Sequence, residues 1–145
     1  FAATAGFDIV TPAVRLNDGM LAELRAHKEK APSSGTTVAF DLNHNALYFS
    51  KQIIPFVRKP GVVSVYRHIG LYGYTRSGLK RYVALPPSPL ENTEGLEQLR
   101  ALENSMTVRV VVVDYRGRTH ASVDTPEDIA VVEQLIAREG ELVST

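Results

Sequence analysis

The sequence predicts an α/β domain built on a mixed sheet flanked by helices. Three observations point there. Val108 to Asp114 is a continuous apolar run, the pattern of a strand buried on both faces. Ser88-Pro89-Leu90-Glu91 and Thr125-Pro126-Glu127-Asp128 each set a capping hydroxyl before a proline at the first helical position, so each opens a helix. Short β-branched and aromatic runs precede them, so strands and helices are interspersed along the chain rather than segregated.

Taken in order, Asp8 to Val14 reads as a short strand ending near Pro12. Asn17 is placed to cap a helix from Asp18 to about Lys30, with Leu21, Leu24 and Met20 on one face. The polar stretch Arg25 to Lys30 leaves a surface excursion as the alternative. Pro32 to Gly35 is a turn cluster. Thr36–Asp41 and Ala46–Ser50, joined by Leu42-Asn43-His44-Asn45, form a hairpin by pattern. Pro55 and Pro60 argue against a central strand over Lys51–Lys59. Val62 to Tyr74 reads as one long strand, with Gly70 and Gly73 marking bulges or a close backbone approach. Ser77–Val83 is compatible with a short helix. The helix capped at Ser88 is expected to run to about Leu102, with Leu96, Leu99 and Leu102 inward. After the Val108 strand and a turn at Arg116-Gly117-Arg118, Ile129, Val132, Leu135 and Ile136 recur at helical spacing up to Gly140.

With 145 residues, 44% hydrophobic and 22% charged, the chain is long enough for one ordinary domain with a core. Sixteen basic residues balance sixteen acidic ones, so net charge supplies no argument for a nucleic-acid or membrane partner. No apolar run approaches the roughly 20 residues of a membrane-spanning helix. The absence of cysteine excludes disulfides and thiolate metal sites and fits a reducing cytosol, so a cytoplasmic location is expected. The chain opens on Phe1, and Phe1 to Thr11 reads like the middle of a fold. The expected organisation is one partial domain over 1–145, with a frayed tail over 141–145.

Neither common glycine-rich phosphate loop occurs, nor an HExxH-type metal motif, nor a serine nucleophile elbow. Four polar groups remain. Tyr48-Phe49-Ser50-Lys51 with Ile54-Pro55 sets a hydroxyl and an ammonium at a strand tip; this is either a ligand site or a surface lysine. In a strand, His68, Gly70, Tyr72 and Tyr74 share one face, which suits a sugar pocket or a packed aromatic strand with a satisfied histidine. Glu91, Glu94, Glu97 and Gln98 follow on the capped helix. Glu94 reads as solvated, whereas Glu97-Gln98 between Leu96 and Leu99 must bring one polar group near the apolar boundary. Asp124, just before a helix cap, is a cap itself or a ligand for a hard cation.

These four strings, in this order, resemble the motifs of the 3-deoxy-manno-octulosonate (Kdo) cytidylyltransferase family, the CMP-Kdo synthetases. Ala46 to Lys51 with Ile54-Pro55 is similar to its "ALYFSR…IP" segment, Arg67 to Tyr74 to "RHIGLYGYR", Pro87 to Arg100 to "PSPLExxExLEQLR", and Val123 to Asp128 to "VDTPEDL". The resemblance runs from about Thr36 to Ile136 and is weaker before that.

The resemblance implies the C-terminal part of a Rossmann-like nucleotidyltransferase fold, with 36–136 its sugar-binding and dimerisation part. It implies condensation of CTP with Kdo to CMP-Kdo and pyrophosphate, ahead of lipopolysaccharide or capsule assembly. His68, Tyr72, Glu97 and Gln98 would face the sugar and Asp124 would bind Mg²⁺. The basic residue after "YFS" lies near the sugar; here it is Lys51 where arginine is usual, which keeps the charge but loses the bidentate fork. An 8-amino variant of Kdo or another ulosonic acid is therefore open as substrate. A homodimer is implied, with Tyr48, Phe49 and Ile54 as interface candidates. The family's "RxxSxRLPGKPL" loop for the CTP phosphates and its "GDEP" aspartate do not occur in these residues. The chain alone is thus not expected to turn over CTP. The alternatives are a cytidylyltransferase for sialic-acid-like sugars and a non-catalytic module derived from the enzyme.

Overall fold

The computed structural model describes residues 6–59, 65–115, 123 and 126–140. The chain divides into two compact units, Phe1–Val113 and Asp114–Thr145. Unit one holds β1 (Ile9–Arg15), α1 (Asp18–Lys30), β2 (Thr37–Phe40), β3 (Ala46–Ser50), β4 (Tyr66–His68), β5 (Gly73–Tyr74), α2 (Arg76–Val83), α3 (Pro89–Glu94), α4 (Gln98–Glu103) and β6 (Val108–Val113). Unit two holds α5 (Pro126–Glu139), where the proline-led helix start places it.

The sheet is mixed, as expected. β3, β2 and β4 lie side by side and antiparallel. β6 runs parallel to β1 from Ile9–Val108 to Val14–Val113 and takes one edge of β1. β5 and β4 share the other edge, pairing antiparallel at Ile9–Tyr74 and Ala13–His68. Ile9, Ala13, Val38, Phe49, Leu99, Val108 and Val110 form the core, with the α4 leucine packed against sheet residues.

Local chemistry explains most elements. Asn17 accepts from the Met20 amide at 2.9 Å, and α1 buries Leu21 and Leu24, so this stretch is a helix and not an excursion. The β2–β3 hairpin turns on Asp41, whose carboxylate accepts from the Asn43 and Asn45 amides, both at 2.8 Å. Its tip meets β6: Val110 donates to the His44 carbonyl at 2.7 Å.

Three expectations change. The long strand over Val62–Tyr74 is, among its described residues, two short strands separated by Ile69–Tyr72. The break lies opposite Pro12, which pairs with Val111 inside β1 and has no N–H to offer β4 and β5. The helix from Ser88 stops at Gly95, whose φ of 63° is left-handed and whose amide returns to the Glu91 carbonyl at 2.8 Å. α4 then starts afresh at Gln98 and buries Gln98, Leu99 and Ala101. β6 is buried at Val108 and Val110, but Val111 is 45% exposed. The continuous apolar run is therefore not matched by continuous burial within this unit. The turn at 116–118, the cap at Thr125, the start of the Val62 strand and the tail over 141–145 lie outside the described residues.

Candidate functional site

The candidate residues converge where β3, β4, β5 and the α3–α4 junction end. His68 closes β4 and is buried; its ring meets Phe49 edge-on at 5.0 Å and Tyr72 at 5.5 Å. The file of rings continues from Tyr72 to Tyr74 at 6.4 Å and from Tyr74 to Tyr82 of α2 at 5.7 Å. The Arg100 guanidinium covers Tyr82 at 5.1 Å. The Tyr82 hydroxyl donates to the Glu97 carbonyl at 3.0 Å, which ties this file to the start of α4.

Electrostatics link the same residues. Burial, and then the Lys51 ammonium, push His68 down to about 4, so it is neutral at physiological pH. Burial, and then the Glu97 carboxylate, push the Tyr72 phenol well above its usual value. Lys51 therefore acts on His68 and Glu97 on Tyr72 through space, the two rings are in contact, and Gln98 follows Glu97 directly. The Gln98 side chain is buried, and its Nε2 finds no hydrogen-bond partner among the described residues. A buried amide donor without a partner is one a ligand oxygen can satisfy. Asp124 lies outside the described residues.

Three participants escaped sequence reading. Glu94, expected to be solvated, instead clasps the end of β3. Its carboxylate accepts from Ser50 Oγ at 2.7 Å and from the Lys51 amide at 2.8 Å. Lys28 of α1 donates Nζ to the Lys51 carbonyl, and to Gly35 at 2.7 Å. The Lys51 peptide is thus gripped at both its N–H and its C=O. Burial, then Lys51 and Arg67, lower the Lys28 ammonium below its usual value. Thr11 in β1 is fully buried beside His68, with 2.8 Å between Oγ1 and Nε2. A lone hydroxyl in an apolar strand, next to a proline, was its only signal. Phe49, an interface candidate, is fully buried in the core of its own chain and presents nothing to a partner.

Beside the Lys28 and Glu94 groups that hold the end of β3, the arrangement offers the Lys51 ammonium, a neutral imidazole, neutral phenols, the Glu97 carboxylate and a free amide donor. That set suits a polyhydroxylated acid: charge for the carboxylate, donors and acceptors for the hydroxyls. A histidine near 4 is a weak base at neutral pH, so His68 is poorly suited to abstract a proton there.

A family model described as cytidylyltransferase matches residues 21–108. The chain belongs to the cytidylyltransferase family. The resemblance drawn from the four motifs is borne out. This cytidylyltransferase chain is 54% identical over 142 residues to the 3-deoxy-manno-octulosonate cytidylyltransferase of Maricaulis maris, covering 97% of this chain and 55% of that one. It is 48% identical over 96 residues to the 8-amino-3,8-dideoxy-manno-octulosonate cytidylyltransferase of Shewanella pealeana, covering 66% and 38%. A solved CMP:2-keto-3-deoxy-manno-octonic acid synthetase, complexed with CTP, matches at a TM-score of 0.77 and 31% identity over 94% of this chain and 52% of that one. The nucleotidyltransferase fold class expected from sequence is therefore correct. The cytidylyltransferase chain spans about half the length of the curated relatives it matches. No helix among its described residues is long and apolar enough to cross a membrane.

Proposed function

We propose that the complete gene product activates Kdo, or a close ulosonic acid, with CTP, and that this chain supplies the sugar-side surface. The anomeric oxygen of the sugar attacks the α-phosphorus of CTP, the bond from that phosphorus to the bridging oxygen breaks, and CMP-sugar and pyrophosphate result. The anomeric proton passes to solvent. Lys51 pairs with the sugar carboxylate. His68 and Tyr72 hydrogen-bond its hydroxyls, and Glu97 and Gln98 complete the orientation. Holding the sugar in line is the main contribution such groups make to phosphoryl transfer.

The observation that carries this reading is the juxtaposition of Lys51, His68, Tyr72 and Glu97 around one file of rings beside the unpartnered Gln98 amide. Mg²⁺ enters the proposal through Asp124 alone. Among the described residues no group of three or more His, Asp or Glu side chains is placed to hold a metal ion, so no step is derived through it. Bound there, the cation would neutralise charge on the phosphates. A homodimer and a cytoplasmic role ahead of lipopolysaccharide or capsule assembly belong to the same proposal.

The decisive test is pyrophosphate release by the complete gene product with CTP, Mg²⁺ and either Kdo or its 8-amino analogue. Turnover with either supports the reading, and the preferred sugar reports on the lysine at position 51. No release with both sugars removes it.

A further inference from the structure

Thr11 and His68 pose a problem of proton counting. The Thr11 hydroxyl lies 2.8 Å from His68 Nε2, 2.8 Å from the Leu71 carbonyl and 3.3 Å from the Ile69 carbonyl. The Ile69 carbonyl already receives the Leu71 amide at 2.7 Å. A hydroxyl has one proton to give and a carbonyl has none. The close contact with Leu71 therefore holds the threonine's proton. The equally close contact with His68 must hold a proton of the imidazole. The reverse assignment would leave two lone-pair oxygens facing each other at 2.8 Å in a buried site, which is costly.

We propose that Thr11 is a positioning residue that fixes His68 as the Nε2–H tautomer and thereby turns a bare Nδ1 toward its ligand as a hydrogen-bond acceptor for a sugar hydroxyl. No hydrogen bond of His68 Nδ1 is found among the described residues. The break between β4 and β5 is what makes the device: it brings the Leu71 carbonyl to the hydroxyl, where a continuous strand would have turned it toward a backbone amide. The depressed basicity of His68 keeps the ring neutral, so Nδ1 retains its lone pair at physiological pH. The choice of ligand rests on the reading of this face as the sugar site; the tautomer does not.

The test uses the complete gene product labelled with ¹⁵N-histidine, the His68 signals being assigned by their loss in His68→Gln. At neutral pH the ring is expected to be protonated at Nε2 and bare at Nδ1; the opposite pattern overturns the proposal. Thr11→Val is expected to raise KM for Kdo about tenfold while leaving KM for CTP unchanged, and Thr11→Ser to restore it. An unchanged KM for Kdo in folded Thr11→Val, or equal rises for both substrates, overturns the positioning role. Should Thr11→Val fail to fold, the tautomer in the wild type and in Thr11→Ser decides. An Nε2–H ring in a protein that turns over neither Kdo nor its 8-amino analogue removes the sugar reading, and with it the ligand half of this proposal.

Discussion

His68 couples the site to stability as well as to binding. Its folded value of about 4 lies below the 6.5 of a free histidine. As pH falls, the unfolded chain takes up a proton first, so the stability present above pH 6.5 is lost progressively toward pH 4. The loss between pH 7 and pH 4.5 is expected to be roughly 2–3 kcal/mol. Urea midpoints for wild type and His68→Gln check it: the variant's profile should be flatter by that amount, and parallel profiles would contradict the buried neutral ring. Glu94 makes a second prediction at this scale. Glu94→Ala leaves Ser50 Oγ and the Lys51 amide without their shared acceptor, and about 1–3 kcal/mol of destabilisation is expected by thermal unfolding. Lys51, His68, Tyr72, Glu97 and Gln98 stood out as candidates because their residue types sit in ordered motifs. Thr11, Glu94 and Lys28 did not, because each acts on a partner distant in sequence and resembles an ordinary strand or helix residue locally.

Among the elements, two glycines separate backbone strain from crowding. Gly95 holds a φ of 63° with nothing within 4 Å of the position a Cβ would take. Gly95→Ala is therefore expected to cost about 1 kcal/mol, from conformation alone. Gly78 in α2 sits against β1's entry, where a Cβ would lie 2.4 Å from the Asp8 carbonyl oxygen. Gly78→Ala must part α2 from that backbone and is expected to cost more, about 2 kcal/mol or above. Chemical denaturation of the two variants gives the order, and the reverse order would contradict the close approach. Caps at Asn17 and Ser88 were readable because they act within one turn. Ser88 donates its amide to the Glu91 carboxylate at 3.0 Å as the motif requires. The break at Gly95 and the gap opposite Pro12 were harder. Each sits inside a run whose composition suits its neighbours, and only the sheet pairing shows that Pro12 faces Ile69–Tyr72.

For the whole molecule, the mixed sheet was legible from strand and helix patterns, but strand order was not, since periodicity says nothing about which strands pair. The expected metal role of Asp124 has a direct check: Asp124→Ala in the complete gene product should abolish pyrophosphate release while leaving the melting temperature within about 2 °C of wild type. Retained turnover would remove the assignment. The pairing of β1 bears on how the unit comes to exist. Ile9 is joined to Val108 and Ala13 to His68, so within this unit β1 gains partners only from chain made much later. At ribosomal rates of about 5–20 residues per second, the roughly hundred residues up to β6 take on the order of 5–20 seconds to emerge. Until β4 and β5 emerge both edges of this apolar strand are open within its own unit, and the edge taken by β6 stays open over the whole interval. Completion of the sheet is therefore a late step in the life of the nascent chain, and the open interval is when chaperone capture or misassociation competes with folding.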